Sequence, residues 1–482
     1  MRSFSILILI LFFYSAQCLG QPVEVHGRIA NFPADAEAAM AMAGINNFLN
    51  GQDQIRTEIQ PDGTFALNFE LDHPQDIFLR IGGFGFSLLL APGEELELNW
   101  DYSADRDEDP ASFVRFSGAN AERHRHFSHM MYQSQKEVDT RMGENIQSLA
   151  PADFLALRFE KKTEQEAFFK EYLRENGIQD VLLSKWIDYY TAYQTANDLV
   201  AYPIMHAQMN RKRPRELDLP ENYYDYIEEI KINDKEAMIC SRYIMFIHRD
   251  YYIYLRQQSQ LQPGYRESVE QDRMVAFMYE YLQDHSDGLA REVVLTRFLL
   301  EMMEMQSRFS GQIPALMEDY YNLVKEKSFR DAVLEKYQLV FDEQNDIQPA
   351  EHVSLLDFEA EETSVLPSLA RQFAGKVIYI DIWATWCGPC IAEMNYYPKL
   401  IEHYRDQEVV FVFLAAHSPE NLWKMRINEY GLEGKHHRLN EKQYYALEEY
   451  FELRGFPQHV IVNREGEVVD PRGRGSMMWK GI

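Results

Sequence analysis

Cysteine is scarce in this chain. Only Cys18, Cys240, Cys387 and Cys390 occur in 482 residues, too few for a disulfide scaffold, so the fold must rest on apolar cores and sulfur is left for chemistry. Long apolar runs are missing as well: past the first residues nothing approaches the roughly 20 uncharged apolar positions of a membrane-spanning helix. Positive charge is in deficit, with 48 lysines and arginines against 76 acidic residues and a net charge of -28. That balance argues against nucleic acid or an anionic membrane as a partner, and its spread along the chain suits solubility. No repeat of fixed period runs through the helical part, so a solenoid is not supported. A second C-x-x-C is also lacking. Zinc needs four ligands, while Cys18 and Cys240 are remote and the nearest paired histidines are His436 and His437, so no metal site is expected.

What is present falls into four stretches. Residues 1–20 read as a leader, with Met1-Arg2 as its positive end, Ile6 to Tyr14 as the apolar run and cleavage after Gly20. The expectation is an exported protein of the periplasm or cell envelope. Lipidation at Cys18 is a second reading, against which stands Gln17, a poor residue before such a cysteine. Residues 21–110 predict a small antiparallel β domain: Val23, Val25, Gly27 and Ile29 alternate, Pro61-Asp62-Gly63 turns into Phe65, Leu67 and Phe69, and Pro92-Gly93 turns into Leu96, Leu98 and Trp100. Gly82 to Phe86 is read as turn and core rather than a binding loop. From 111 to 345 helical spacing replaces alternation, with many tyrosines on amphipathic faces whose phenol tips reach water. Cys240 falls here, in apolar company, as a buried free thiol. Asp342 to Asp346 with Pro349 is a polar break, and 346–482 is the last domain.

Reactive chemistry concentrates in Asp381 to Glu393, D-I-W-A-T-W-C-G-P-C-I-A-E. An apolar run of β type before the two cysteines and apolar periodicity after them predict a strand, a sharp turn and a helix. That helix is expected from 387 to about 404, with Cys387 in its first turn. The N–H groups of that turn and the helix dipole favour negative charge, which brings the Cys387 thiol from about 8.5 towards roughly 7 or lower. Gly388 permits the tight turn, and Pro389 costs little where its N–H would be an orphan anyway. Cys390 is then the resolving thiol. Further strands are expected near 409–415, 436–439, 459–463 and 467–470 and helices near 419–430 and 443–451, an α/β sandwich with a mixed sheet.

The segment W-A-T-W-C-G-P-C, with Asp381 six residues before its first cysteine, resembles the active site of the thioredoxin superfamily. Glu393, three residues past Cys390, is similar to the acidic position of the secreted TlpA/ResA-like branch, which holds cytochrome-maturation and thiol-disulfide oxidoreductases. Gly455-Phe456-Pro457, then His459 to Val462 and Arg464-Glu465-Gly466-Glu467, resembles the family's cis-proline loop, next strand and hairpin turn. The β stretch before the helices resembles the N-terminal domains that precede TlpA-like domains in Bacteroidetes-type exported proteins. Two departures stand out. After Asp470 there is no full closing helix, which predicts one thinly covered face, and Phe456 stands before the proline where Thr or Val is common, which leaves substrate choice open.

The resemblance implies a mechanism: Cys387 attacks a substrate disulfide, Cys390 resolves the mixed disulfide, and Asp381 or Glu393 exchanges the proton of Cys390. Trp386, Phe456 and Pro457 would frame the substrate. No cofactor is implied beyond the redox-active Cys387–Cys390 disulfide itself. Protein disulfides are the expected substrates and a membrane donor the expected source of electrons. Gly-Pro between the cysteines, with no histidine there, and acids at 381 and 393 predict a low potential and a reductant. Two other functions compete: a peroxide-reducing relative, which would want a Thr/Ser-x-x-Cys nucleophile and an arginine partner, and a peptide- or glycan-binding assembly protein with an accessory redox domain.

Overall fold

A computed structural model describes residues 20–33, 40–138, 142–305, 310–342, 347–350, 353–358, 364–453, 455–473 and 475. The leader with Cys18, the acidic break at 343–346 and everything beyond Gly475 lie outside the described residues. The chain divides into two compact units, Met1–Tyr254 and Leu255–Ile482. The helical stretch is shared between them, its earlier helices folding with the β strands and its later ones with the dithiol region. Among the described residues no helix is long and apolar enough to cross a membrane.

In the first unit the alternating stretches become β1 (Gln21–Ala30), β2 (Met40–Asn47), β3 (Gly51–Glu58), β4 (Thr64–Leu71), β5 (Gln75–Ile81), β6 (Phe84–Leu90), β7 (Glu95–Asp101) and β8 (Arg115–Ser117). They form two four-stranded sheets, ordered β4-β1-β7-β8 and β3-β2-β5-β6. Pairing is antiparallel except between β1 and β7, which run parallel. The inward residues of both sheets make one core, in which Trp100 meets Phe65, Phe84 and Phe86 at ring separations of 5.8, 5.7 and 5.1 Å. Phe84 and Phe86 are therefore core, as the composition of that turn suggested. The Asp62-Gly63 turn needs its glycine: φ is +83° and a Cβ there would overlap the Ile29 carbonyl.

The longest described helices of this unit are α1 (Ala121–Glu137), α2 (Pro151–Glu175) and α3 (Val181–Met209). Leu89 of β6 packs with Phe127, Phe169, Trp186 and Cys240, so strands and helices share apolar contacts and fold as one body. Four of the phenol tips expected to reach water do not. Tyr193, Tyr202, Tyr223 and Tyr243 are buried and donate to the carbonyls of Lys231, Leu149, Leu199 and Ile232 at 2.7, 2.7, 3.0 and 2.9 Å. A buried hydroxyl needs a partner, and each such bond contributes about 1 kcal/mol while tying a loop to the helix core.

In the second unit α4 (Met274–Asp284), α5 (Gly288–Glu304), α6 (Ile313–Leu323) and α7 (Lys327–Phe341) precede an α/β sandwich. Its six strands are β9 (Val353–Leu355), β10 (Val377–Trp383), β11 (Val409–Ala415), β12 (Gly434–Arg438), β13 (Gln458–Val462) and β14 (Val468–Asp470), in the order β14-β13-β10-β11-β12-β9. The sheet is mixed: β10, β11, β12 and β9 run parallel, and β13 pairs antiparallel with β10 and β14. Strand periodicity sorts the side chains of β10. Ile378, Ile380 and Ile382 join Val365 and Leu369 of α8 (Val365–Gln372) and Leu447 and Phe451 of α12 (Glu441–Phe451) on one face. Tyr379 and Trp383 join Met394 of α9 (Gly388–Met394), Tyr397 of α10 (Tyr397–His403) and Trp423 of α11 (Glu420–Glu429) on the other. Both faces thus carry helices.

The helix expected from 387 to about 404 is two helices. Cys387 is the N-cap of α9 rather than a residue of its first turn, and α9 stops at Met394 before α10 begins at Tyr397. The cause is Pro398, which offers no N–H to the Met394 carbonyl and whose ring would collide with it.

Candidate active site

Local hydrogen bonds build the approach to the dithiol. The Thr385 N–H donates to the Ser418 hydroxyl at 3.0 Å, that hydroxyl donates to the Ala416 carbonyl at 2.8 Å, and the Cys387 N–H donates to the Ala384 carbonyl at 3.1 Å. The turn is thereby pinned to the end of β11. Cys387, extended at φ -83° and ψ 99°, accepts the Cys390 N–H on its sulfur at 3.1 Å. Cys387 and Cys390 are joined as a disulfide with their Cα atoms 5.2 Å apart. Gly388 and Pro389 occupy the first two helical positions, where no backbone N–H partner is required. Cys390 is 1% exposed and Cys387 5%, so Cys387 is the sulfur an incoming group can reach.

That sulfur opens on a cleft of about 620 Å³ lined by Met305, Trp386, Cys387, Gly388, Pro389, His417, Tyr444, Glu448, Leu453, Gly455 and Phe456. The Phe456–Pro457 peptide is cis, in the loop before β13. Trp386 is fixed from two sides: its indole N–H donates to the His417 carbonyl at 3.0 Å, and its ring meets Phe456 edge-on at 5.6 Å. His417 packs edge-on against Tyr444 at 4.2 Å, and the Tyr444 hydroxyl donates to Glu448 at 3.0 Å. Burial pushes the His417 imidazole below its ordinary value, against the pull of Glu441 and Glu448. That shift favours the uncharged ring. Sequence reasoning passed over His417, Tyr444 and Glu448, which share no motif and meet because the residues just after β11 pack against one side of α12.

Beneath the dithiol lies a buried polar cluster. Asp381 shares the face of Tyr379 and Trp383, and the β10–β13 register places it opposite His459. Its Oδ2 accepts the Tyr397 hydroxyl at 2.7 Å, and its Oδ1 lies 3.6 Å from His459 Nε2. The same nitrogen is 3.0 Å from Oε2 of Glu393, one helical turn past Cys390 on α9. Asp381 is 1% exposed and His459 5%. Burial drives the Asp381 carboxyl up to about 6, with His459 and the Tyr397 hydroxyl opposing. Burial lowers the His459 imidazole, but Glu393 and Asp381 together outweigh it, and the net shift is upward. Burial also raises the phenols of Tyr379 and Tyr397 well out of the physiological range. The structure thus brings both sequence-expected acids to one place. His459 and Tyr397 were missed as functional residues; the one available signal was the alternation in Gln458 to Val462, which puts Val460 and Val462 on one face and His459 on the other.

Residues 349–471 match the Redoxin family model, and this part of the chain is a domain of the thioredoxin superfamily. Among relatives, thiol-disulfide oxidoreductase ResA of Halalkalibacterium halodurans is 29% identical over 99 residues, covering 20% of this chain and 54% of that protein. Thioredoxin of Coprinus comatus is 47% identical over 38 residues, 8% of this chain and 36% of that one. A solved structure of the thioredoxin domain of a Bacteroides vulgatus thiol-disulfide oxidoreductase is 26% identical, covers 22% of this chain and 75% of its own, and superposes with a TM-score of 0.21. The chain spans about half the length of the ResA relative it matches over the longer segment.

Proposed function

We propose that this protein is an exported thiol-disulfide oxidoreductase that reduces protein disulfides. The observation that carries the reading is the Cys387–Cys390 pair, one sulfur at a helix N-cap facing an apolar cleft and the other buried behind it. Starting from the dithiol, the Cys387 thiolate attacks one sulfur of a substrate disulfide, forms a mixed disulfide and releases the first substrate sulfur as a thiolate that takes up a proton. Cys390 then gives its proton to a buried carboxylate, Asp381 or Glu393, and its thiolate attacks Cys387. The enzyme disulfide forms, the second substrate thiolate leaves, and two electrons have passed to the substrate. Trp386 and Phe456 line the cleft, and with Pro457, joined to Phe456 through a cis peptide, they would frame an extended peptide against the dithiol.

The electron flow favours reduction. Neutral His417 offers no charge to the Cys387 thiolate, and negative charge at the acid cluster disfavours a second anion, so the dithiol form gains little and the potential is low. In an oxidising compartment such a protein needs electrons delivered to it, and a membrane donor fits. On equilibration with glutathione, the pair is expected to remain mostly disulfide in a weakly reducing buffer; a predominantly dithiol population there would mark an oxidant.

Insulin reduction tests the function. Cys387→Ser is expected to abolish turnover, and Cys390→Ser to accumulate a mixed disulfide with substrate. Turnover that survives Cys387→Ser would overturn the assignment.

A further inference from the structure

One nitrogen, His459 Nε2, faces two carboxylates from two different elements, at 3.6 Å from Asp381 of β10 and 3.0 Å from Glu393 of α9. The 3.0 Å approach is not aligned as a hydrogen bond, so it acts as a charge contact. Asp381 has His459 as its cationic partner among the described residues, with Glu393 as a like charge nearby. Two phenols among the described residues also lie against the cluster: Tyr379 on β10, whose ring lies 5.8 Å from that of His459, and Tyr397 on α10, which donates to Asp381. The segment after β14 covers the cluster. The Gly473 N–H donates to the His459 carbonyl at 2.8 Å, and Gly475 is buried so close to Glu393 that a Cβ would lie 2.7 Å from Oε2.

We propose that His459 is a positioning residue which, as an imidazolium, holds Asp381 and Glu393 together as one proton-exchanging unit one helical turn from Cys390. The inference deepens the oxidoreductase reading and rests on it for the use of the proton. Two acids in a site this dry repel each other, and a shared imidazolium lowers the cost of ionising both. A protonated acid cannot accept the Cys390 proton. With the imidazolium between them both acids stay ionised near neutral pH, and the proton released by Cys390 goes to either carboxylate. His459 itself touches neither sulfur nor substrate in this scheme.

The test uses the full chain. In His459→Gln, which keeps a polar group but not the charge, the Asp381 carboxyl midpoint read by carbon-13 NMR is expected to rise by about one unit or more, since an opposite charge at this range lowers a carboxylate by 1–3 units. The pH midpoint of mixed-disulfide resolution in single turnover should rise with it. A midpoint that does not move assigns His459 a structural role and overturns the proposal. Should the variant not fold, nitrogen-15 NMR of the wild-type imidazole decides: a protonated ring at pH 6.5 in the oxidised protein supports the proposal, and a neutral ring there overturns it. Both NMR readings are independent of turnover, so failure of the oxidoreductase reading, seen with Cys387→Ser, remains separable.

Discussion

At the residue scale Asp381 shows how burial writes pH into stability. Its carboxyl titrates near 6 in the fold against an ordinary 3.8, so the folded chain binds this proton more tightly than the unfolded one. The sign follows: its contribution is fully present below pH 3.8 and is lost as pH rises to about 6. A shift of two units is worth about 3 kcal/mol at 1.36 kcal/mol per unit. His459 fades in the same direction, its contribution present below its ordinary value and lost as pH rises through its higher folded value. Asp381→Asn cannot ionise, and part of its gain is offset because His459 loses a partner. We expect it to raise the unfolding free energy at pH 8 by about 2–3 kcal/mol and to change it little at pH 4. Urea titrations at the two pH values check this, and an equal effect at both would contradict the burial argument.

At the scale of elements, two breaks in regularity shape the site. Pro398 divides the expected long helix into α9 and α10, which lets Tyr397 start a new helix with its hydroxyl on Asp381. The described residues after β14 lie against the acid cluster, and Gly473 and Gly475 do so differently. A Cβ at Gly475 would collide with the Glu393 carboxylate, whereas one at Gly473 meets Ile461 and His459 at ordinary distances of 3.4–3.6 Å. Gly475→Ala must displace the Glu393 carboxylate, the far end of a flexible side chain, and is therefore expected to cost about 1 kcal/mol, the low end of overpacking. Gly473→Ala should stay within about 0.5 kcal/mol. Chemical denaturation of the pair checks the difference, and equal costs would show that this segment does not seal the cluster.

Over the whole molecule, sulfur is divided by burial. Cys240 sits at 0% exposure in the first unit, its thiol pushed well above the ordinary range first by burial and then by Asp76. Cys387 sits in the second unit at a cleft. After mild reduction iodoacetamide is expected to modify Cys387 in the native protein and to spare Cys240 until the chain is unfolded, with peptide mass spectrometry as the readout. Native labelling of Cys240 would mean that the first unit opens readily.

The sequence alone determined what is local. The strand, turn and helix start around Cys387 and Cys390, the turn at Gly63, the alternation of β4 and the loop at Phe456-Pro457 were legible because neighbouring residues set backbone preference, periodicity and turn chemistry. The helix break at Pro398 was equally local and was passed over. Only the tertiary structure decided the rest. His459 meets Asp381 through cross-strand register, Glu393 reaches the same nitrogen from a helix, and the phenols of Tyr193 and Tyr202 end on carbonyls instead of water. Register and burial depend on residues far apart in the chain, and the cost of burying each polar group chooses a partner that no local pattern names.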